Sequence, residues 1–188
     1  MKDIAIEAAL SAGKVLMQRF GTALTVEHKG EIDLVTEVDR ASEDVIVSVL
    51  RGTFPRHDIL AEEGQYADSG SRYRWIVDPL DGTTNYAHGF PWFAVSIALE
   101  VESEVTLGVV YNPSSQELFW AEKGKGTFLN DVQIDVSRTG RLGDSLLATG
   151  FPYDRKKSDV NNYDHFVHFQ QAAQACRRPG SASLDLAY

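Results

Sequence analysis

Apolar residues in the first quarter of the chain recur at helical spacing. Between residues 3 and 20 they share one face of a helix, at Ala5, Ala8, Ala12, Leu16 and Phe20. The same spacing returns near residues 40–51, at Ala41, Val45 and Val49. Gly21 and Gly30 interrupt the period between these two segments. We therefore expect two amphipathic helices joined by an extended, exposed loop.

The middle of the chain changes to the alternation that is typical of strands. Residues 59–61 predict a short buried strand, and residues 75–136 predict several more, most clearly at Phe93, Val95, Ile97, Leu99 and Val101. Their short connections favour an antiparallel meander. Farther on, we expect a buried strand in SLLATGF, a helix near 164–177 and the first turns of another helix in GSASLDLAY. Helices followed by a meander indicate an α+β layered fold.

Charge and cysteine content narrow the class of protein. The 188 residues include 27 acidic and 18 basic ones, and the net charge of −9 disfavours nucleic acids and anionic membranes as partners. Cys176 is the only cysteine, which is typical of a reducing compartment. Asp3 and Glu7 lie where a secretion signal would be basic and then apolar, and no run approaches the roughly 18 apolar residues of a membrane span. We expect a cytoplasmic protein that binds neither nucleic acid nor membrane.

Acidic residues stand at the ends or beginnings of predicted elements, at Asp33 and Asp39, Glu62 and Glu63, Asp78, and Asp81. Glu62 and Asp78 each follow a short apolar run, so their side chains meet at one edge of the sheet if the two runs are adjacent strands. Carboxylates that close repel each other unless a cation lies between them. Oxygen ligands clustered without His or Cys indicate Mg²⁺, and a pair of such ions serves phosphoryl chemistry.

The residues that follow Asp81 predict an anion site. GTTN reads as the N-terminus of a helix, where free backbone N–H groups bind phosphate. Gly82 permits close approach of the backbone, and Thr83 offers a hydroxyl. Metal ligands beside a phosphate-sized cradle describe a metal-dependent phosphatase.

Each acidic group also has a structural interpretation when it is taken alone. Asp39 can be a helix N-cap, Glu62 and Glu63 can be solvated surface acids, and Asp78 next to Pro79 can belong to a turn. Only the ordered combination of the motifs favours the phosphatase.

The motifs DLVTEVD, AEEG and WIVDPLDGTTNYAHGFP resemble those of the inositol monophosphatase family, close to its bacterial branch, and the likeness extends over GVVYNP, KGKGTFLND and RPGSASLDLAY. The resemblance implies a layered α-β-α-β-α sandwich and a homodimer. It implies hydrolysis of a small phosphorylated polyol, foremost inositol 1-phosphate, with two or three Mg²⁺ ions per site and Li⁺ as an inhibitor. Residues 1–145 would form the sandwich portion that carries the metal site, and 146–188 the start of an incomplete C-terminal portion.

The resemblance also assigns metal ligands. Glu62, Asp78 and the carbonyl of Leu80 would bind the first ion, and Asp78 and Asp81 would share the second. In the family the chain continues past GSASLDLAY to a W-D-x-A-A-G-like motif that supplies a further ligand of the second ion. We therefore expect this sequence to be C-terminally truncated, as a fragment or naturally, with weakened binding of the second ion.

Catalytic roles fall on Thr83 and Asp39, which would orient and help to deprotonate the attacking water, and on Glu62 beside them. The other matches implied by the resemblance lie around the substrate: phosphate-binding N–H groups at Gly82 and Thr83, a backbone wall at Gly180, Ser181 and Ala182, and a mobile loop with Lys29 and Asp33.

Three alternatives remain. A haloacid-dehalogenase-type phosphatase would use an aspartate nucleophile, but the spacing of three between Asp78 and Asp81 and the intervening Pro79 disfavour it. The chain can be a non-catalytic binding or regulatory protein on the same fold. It can also be a phosphatase of another sugar phosphate or of a nucleotide-derived phosphate.

Overall fold

The structure, a computed structural model, describes residues 1–22, 26–28, 34–62, 64, 66, 68–152 and 154–188. Its helices are α1 (Lys2–Arg19), α2 (Glu37–Thr53), α3 (Thr83–Ala87), α4 (Tyr163–Ala172) and α5 (Ala182–Ala187), with a 3₁₀ turn at Leu142–Asp144. Its strands are β1 (Val26–His28), β2 (Leu34–Thr36), β3 (Asp58–Ala61), β4 (Tyr73–Asp81), β5 (Ala94–Val101), β6 (Glu104–Asn112), β7 (Glu117–Glu122), β8 (Gly126–Leu129), β9 (Val132–Ile134), β10 (Leu146–Ala148) and β11 (Ala175–Arg177).

A seven-stranded sheet forms the centre of the fold, with its strands in the order β3-β4-β5-β6-β7-β8-β9. From β4 to β9 each strand pairs antiparallel with the next, which confirms the predicted meander. β3 runs parallel to β4 at the edge of the sheet. The two apolar runs that precede Glu62 and Asp78 are therefore adjacent strands, as the site prediction required.

The core lies between this sheet and the pair α1 and α2. Four alanines, Ala5, Ala8, Ala9 and Ala12, are fully buried on α1, and their small side chains let the two helices approach closely. The sheet contributes larger side chains such as Trp75 of β4. Burial of each large apolar side chain contributes roughly 1.5–3 kcal/mol, so the helices and the sheet stabilise one another.

α2 also buries polar side chains. Asp39, Ser42 and Glu43 are at most 3% exposed, although they lie on the same helix as the buried Val38 and Leu50. Buried polar groups are costly unless they are hydrogen-bonded. The polar side chains on this face of α2 therefore require hydrogen-bonding partners elsewhere in the protein.

The structure corrects several of the sequence-based expectations. The interval between the first two helices contains the antiparallel pair β1 and β2, not only an extended loop. The predicted helix near 164–177 ends at Ala172, and residues 175–177 form β11 instead. The strand β10 exists, but it is not buried: Leu146 is 64% exposed, because β10 pairs with β11 in a separate two-stranded sheet. Among the described helices, none is long and apolar enough to cross a membrane.

Candidate active site

Two parallel strands bring acidic residues together at one edge of the sheet. Ala61 of β3 lies opposite Val77 of β4, so the next residues along the chain, Glu62 and Asp78, emerge side by side. Asp78 is hydrogen-bonded to Glu62, and its pKa is raised to about 8, first by burial and then by the charges of Asp81 and Glu62. The edge thus concentrates negative charge that a cation would relieve.

An irregularity in β4 places Asp81 on the same side of the strand as Asp78. The strand β4 takes three steps from Asp78 to Asp81, whereas the opposite stretch of β5 takes two, from Ser96 to Ala94. Side chains alternate between the faces of a strand, so residues three apart point to opposite sides. The extra residue is a β-bulge, and it restores both aspartates to one side.

The bulge is held by hydrogen bonds from both directions. The N–H of Leu80 donates to Asp78 Oδ1 at 3.1 Å. The hydroxyl of Ser42, which is fully buried on α2, donates to the carbonyl of Pro79 at 2.8 Å. The sequence analysis did not single out Ser42, because a serine within a helix carries no signal of a partner 37 residues away.

The turn into α3 requires a glycine. Gly82 has φ of +99°, in the left-handed region that favours glycine. A Cβ there would lie 3.1 Å from the carbonyl oxygen of Trp92 and 3.3 Å from that of Gly180. Asn85 ties these same segments together, since its Nδ2 donates to the carbonyls of Trp92 and Pro179 at 2.7 and 2.8 Å. The predicted backbone wall near residue 180 is therefore packed directly against the phosphate-cradle turn.

Thr83 and Asp39 are hydrogen-bonded, as predicted. Thr83 Oγ1 lies 3.1 Å from Asp39 Oδ1 and 3.0 Å from the carbonyl oxygen of Leu80. A hydroxyl has one proton, so it donates to one of these acceptors at a time. α2 begins at Glu37, which places Asp39 in its first turn and not at the N-cap position. The interpretation of Asp39 as an N-cap is therefore wrong.

Asp81 reaches the N-terminus of α5, a hundred residues farther along the chain. Its carboxylate accepts hydrogen bonds from Ser181 Oγ at 2.7 Å, Ala182 N at 3.2 Å and Ser183 N at 2.6 Å, and from the hydroxyl of Ser183. Backbone N–H groups at a helix start are satisfied well by a carboxylate. Ser183 was not predicted as part of the site.

An open cavity of about 700 Å³ lies beside Asp81 and Gly82. Gly180, Ser181 and Ala182 form part of its wall. Two arginines and an imidazole also face it, at His88, Arg155 and Arg178. The cavity is large enough for a small phosphorylated molecule whose phosphate lies at the α3 turn.

The donor set suits a hard divalent cation. Glu62, Asp78 and Asp81 supply carboxylate oxygens, and Leu80 can supply a carbonyl oxygen, which are the ligands that Mg²⁺ prefers. No group of three or more His, Cys, Asp or Glu side chains in the described part of the chain is arranged tightly enough to hold an ion as it stands. The Asp81 carboxylate is instead turned toward α5. These residue types fit Mg²⁺. To bind the ion, Asp81 would have to share its carboxylate oxygens between the ion and the N-terminus of α5.

The comparisons with known proteins agree with this geometry. The sequence profile described as the inositol monophosphatase family matches residues 1–188. The chain is 46% identical to the inositol-1-monophosphatase of Synechocystis sp. over 98% of its own length and 65% of that protein. The chain belongs to the inositol monophosphatase family.

The chain is also similar to two further known proteins. The Nus factor SuhB of Pseudomonas aeruginosa is 41% identical, with 100% of this chain and 72% of that protein covered. The solved structure of the inositol monophosphatase from Anabaena (Nostoc) sp. PCC 7120 superposes with a TM-score of 0.88 at 46% identity, covering 99% of this chain and 69% of that one. The chain thus spans about two thirds of the length of these relatives, and its α+β sandwich fold is that of the family.

Most of the predicted site residues lie in one place. The structure brings together Asp39, Glu62, Asp78, Leu80, Asp81, Gly82, Thr83, Gly180, Ser181 and Ala182. The predicted loop residues Lys29 and Asp33 lie outside the described residues, as does Glu63. Glu62 is exposed, which agrees with its alternative interpretation as a surface acid. It is nevertheless hydrogen-bonded to Asp78.

Proposed function

We propose that this chain carries the site of a Mg²⁺-dependent phosphate monoester hydrolase whose substrate is inositol 1-phosphate. The observation that supports it most is the convergence of Glu62, Asp78 and Asp81 at one sheet edge, with the pKa of Asp78 raised to about 8 by burial and by its two neighbours. Burial of Asp78 beside two further carboxylates is costly without a cation. The family membership of the chain supports the same reaction.

Glu62, Asp78 and the carbonyl of Leu80 would hold one Mg²⁺ ion, and Asp78 with Asp81 a second. When bound, the ions lower the pKa of the attacking water and neutralise charge on the phosphate. We propose that Li⁺ competes for this site and inhibits.

The proton of the attacking water is handled by the pair Thr83 and Asp39. When the Thr83 hydroxyl donates to Asp39 Oδ1, its lone pairs face away from the carboxylate and can accept a hydrogen bond from the water. As the water attacks phosphorus, its proton passes to Thr83 Oγ1 while the hydroxyl proton moves toward Asp39. Asp39 is 2% exposed, so it is held in place for this transfer by the packing of α2.

The phosphate would be bound by the backbone N–H groups of Gly82 and Thr83, where the chain enters α3. The polyol would occupy the adjacent cavity of about 700 Å³ against Gly180, Ser181 and Ala182. Direct in-line attack at phosphorus then needs no phosphorylated enzyme, because water is the nucleophile.

The test is release of phosphate from inositol 1-phosphate with and without Mg²⁺, and with Li⁺ added. Asp81→Asn should abolish release, whereas Asp164→Asn on the exposed first turn of α4 should not change it. Release that persists without divalent cations, or that survives Asp81→Asn, would refute the proposal. A second panel of sugar bisphosphates and nucleotide-derived phosphates decides the substrate.

A second candidate comes from the relatives that are named Nus factor SuhB, among them the P. aeruginosa protein. This chain would then be a binding or regulatory protein on the same fold. Expression of the chain and of its Asp81→Asn variant in cells that lack their own SuhB separates the two functions. Rescue by both versions would favour the Nus-factor role, and rescue by the active version alone would favour the phosphatase.

We further propose a homodimer in the cytoplasm. Large apolar side chains are exposed in the last quarter of the chain, at Leu146, Val160, Val167 and Leu186. Large exposed apolar surface is often covered by a partner, so we expect a second copy of the chain to cover these side chains. Sedimentation analysis of the purified chain measures its oligomeric state directly, and a monomer at micromolar concentration would contradict the proposal.

A further inference from the structure

The polar face of α2 contacts three separate segments of the site. Asp39 accepts from Thr83, and Ser42 donates to the carbonyl of Pro79. Glu43 lies one turn beyond Asp39, because residues four apart are neighbours on a helix. It is 3% exposed, so it too requires a compensating partner in the protein.

Tyr66 and Gly64 surround the Glu43 carboxylate. The hydroxyl of Tyr66 donates to Glu43 Oε1 at 2.8 Å. A Cβ on Gly64 would lie only 2.6 Å from the same oxygen, so the backbone at residue 64 is pressed against it. The guanidinium of Arg51 lies over the Tyr66 ring, 4.9 Å from its centre, and makes a cation–π contact with it.

These contacts lie two and four residues beyond Glu62, a predicted metal ligand. β3 ends at Ala61, so pairing within the sheet holds the backbone only up to the residue before Glu62. The next described anchor along the chain is the contact of Gly64 with Glu43, followed by the bond from Tyr66. Glu62 therefore lies between two attached points of the chain, the end of β3 in the sheet and the contacts of Gly64 and Tyr66 with α2. Both attachments restrict its position.

We propose that Glu43 and Tyr66 are positioning residues that fix Glu62 beside Asp78. Neither reaches the substrate. The inference rests on the proposed function in one respect, namely that Glu62 binds a divalent cation. Loss of the hydrogen bond would release the chain after β3 and move the Glu62 carboxylate away from its neighbour, while Asp78, Asp81 and the fold remain as they are.

Three substitutions separate this role from a structural one. Tyr66→Phe removes one oxygen and keeps the ring against Arg51. Glu43→Leu removes the acceptor, whereas Glu43→Gln retains a carbonyl oxygen for the Tyr66 hydroxyl and should restore wild-type behaviour. Tyr73→Phe is the matched control, because it removes the same atom from a half-buried tyrosine at the opposite end of β4 from Asp81.

Two measurements on the full chain follow. Titration with Mn²⁺ by electron paramagnetic resonance should show affinity about 10-fold weaker in Tyr66→Phe and Glu43→Leu, the loss typical when a residue that orients a metal ligand is removed. Amide hydrogen exchange without metal should accelerate in peptides that span residues 60–64. Glu43→Gln and Tyr73→Phe should match the wild type in both.

A double-mutant cycle with Glu62→Gln provides the decisive readout. If Tyr66 acts through Glu62, Tyr66→Phe should weaken Mn²⁺ binding less than 2-fold in the Glu62→Gln background. An equal 10-fold loss in both backgrounds would overturn the proposal, as would unchanged affinity and exchange in Tyr66→Phe. If the wild-type chain binds no Mn²⁺, the proposed function fails, and the exchange result alone decides whether Glu43 and Tyr66 position Glu62.

Discussion

Replacement of Thr83 by valine tests the proton-transfer pair most directly. Valine has nearly the same shape, so the change removes the hydroxyl that bonds Asp39 at 3.1 Å and adds no cavity. Hydrogen bonds to charged groups contribute about 1.5–3 kcal/mol to stability. For a domain of this size each kcal/mol corresponds to a shift in Tm of about 2–4 °C. We therefore expect Thr83→Val to lower Tm by several degrees and to leave the protein folded at 20 °C.

The expected effect on catalysis is much larger. Loss of a positioned group that moves a proton costs about 10²–10⁴ in rate, equivalent to about 3–5 kcal/mol of barrier. Phosphate release is measured at 20 °C, well below the about 45–65 °C at which such domains typically unfold, so a small loss of stability should not reduce the folded fraction. A purely structural Thr83 would lower Tm and leave kcat intact.

Thr83→Ser serves as the control, because it retains a hydroxyl that can donate to Asp39. We expect its kcat to stay within about 10-fold of the wild type. If Thr83→Val retained kcat within 3-fold, the assignment of Thr83 and Asp39 to proton transfer would be refuted. Equal loss in the Val and Ser variants would show that the hydroxyl alone does not account for the activity, because Thr83→Ser retains it.

Three further predictions follow from the structure. Gly82→Ala should lower Tm by several degrees and weaken binding of inorganic phosphate, because a left-handed residue is strained and its Cβ would crowd the Trp92 carbonyl at 3.1 Å. The stability of the fold should fall as pH drops through 6.5. Burial lowers the pKa of His57, and its neutral Nδ1 accepts a hydrogen bond from Trp75 Nε1 at 3.2 Å. The unfolded chain therefore binds a proton at His57 at a higher pH than the folded chain does. Mg²⁺ affinity should fall about 10-fold per pH unit below pH 8, because a proton on Asp78, with its pKa near 8, competes with the ion.

Each of these predictions has a matched control. Gly124→Ala has φ of +77° but open space around its Cβ, so it should show the backbone strain without the loss of phosphate binding. Urea unfolding of His57→Gln at several pH values should show a weaker acid dependence than the wild type, and an identical dependence would exclude His57 as the cause. Calorimetric titration of Asp78→Asn with Mg²⁺ should show weak, pH-independent binding, and a retained pH dependence would assign the proton to another group.

Local patterns in the sequence predicted most of the elements and the chemistry of the site. The two-residue period of β5 and the helical period of about 3.6 residues in α1 are local, because they follow from the geometry of a few neighbouring peptide units. Glu62 and Asp78 could be located because each ends an apolar run, and the run of Gly82 and Thr83 marked the start of α3. The family resemblance then supplied the roles.

The orientation of these residues and the contacts that hold them depend on tertiary packing. The bulge between Asp78 and Asp81 arises from pairing with β5, and the bonds from Asp81 to Ser183 connect segments about a hundred residues apart. The contact of Glu43 with Tyr66 likewise depends on where α2 packs. Burial of β10 was wrongly predicted for the same reason. An apolar pattern indicates which side chains favour burial. The packing of distant segments determines which of these side chains are buried and which polar groups become their partners.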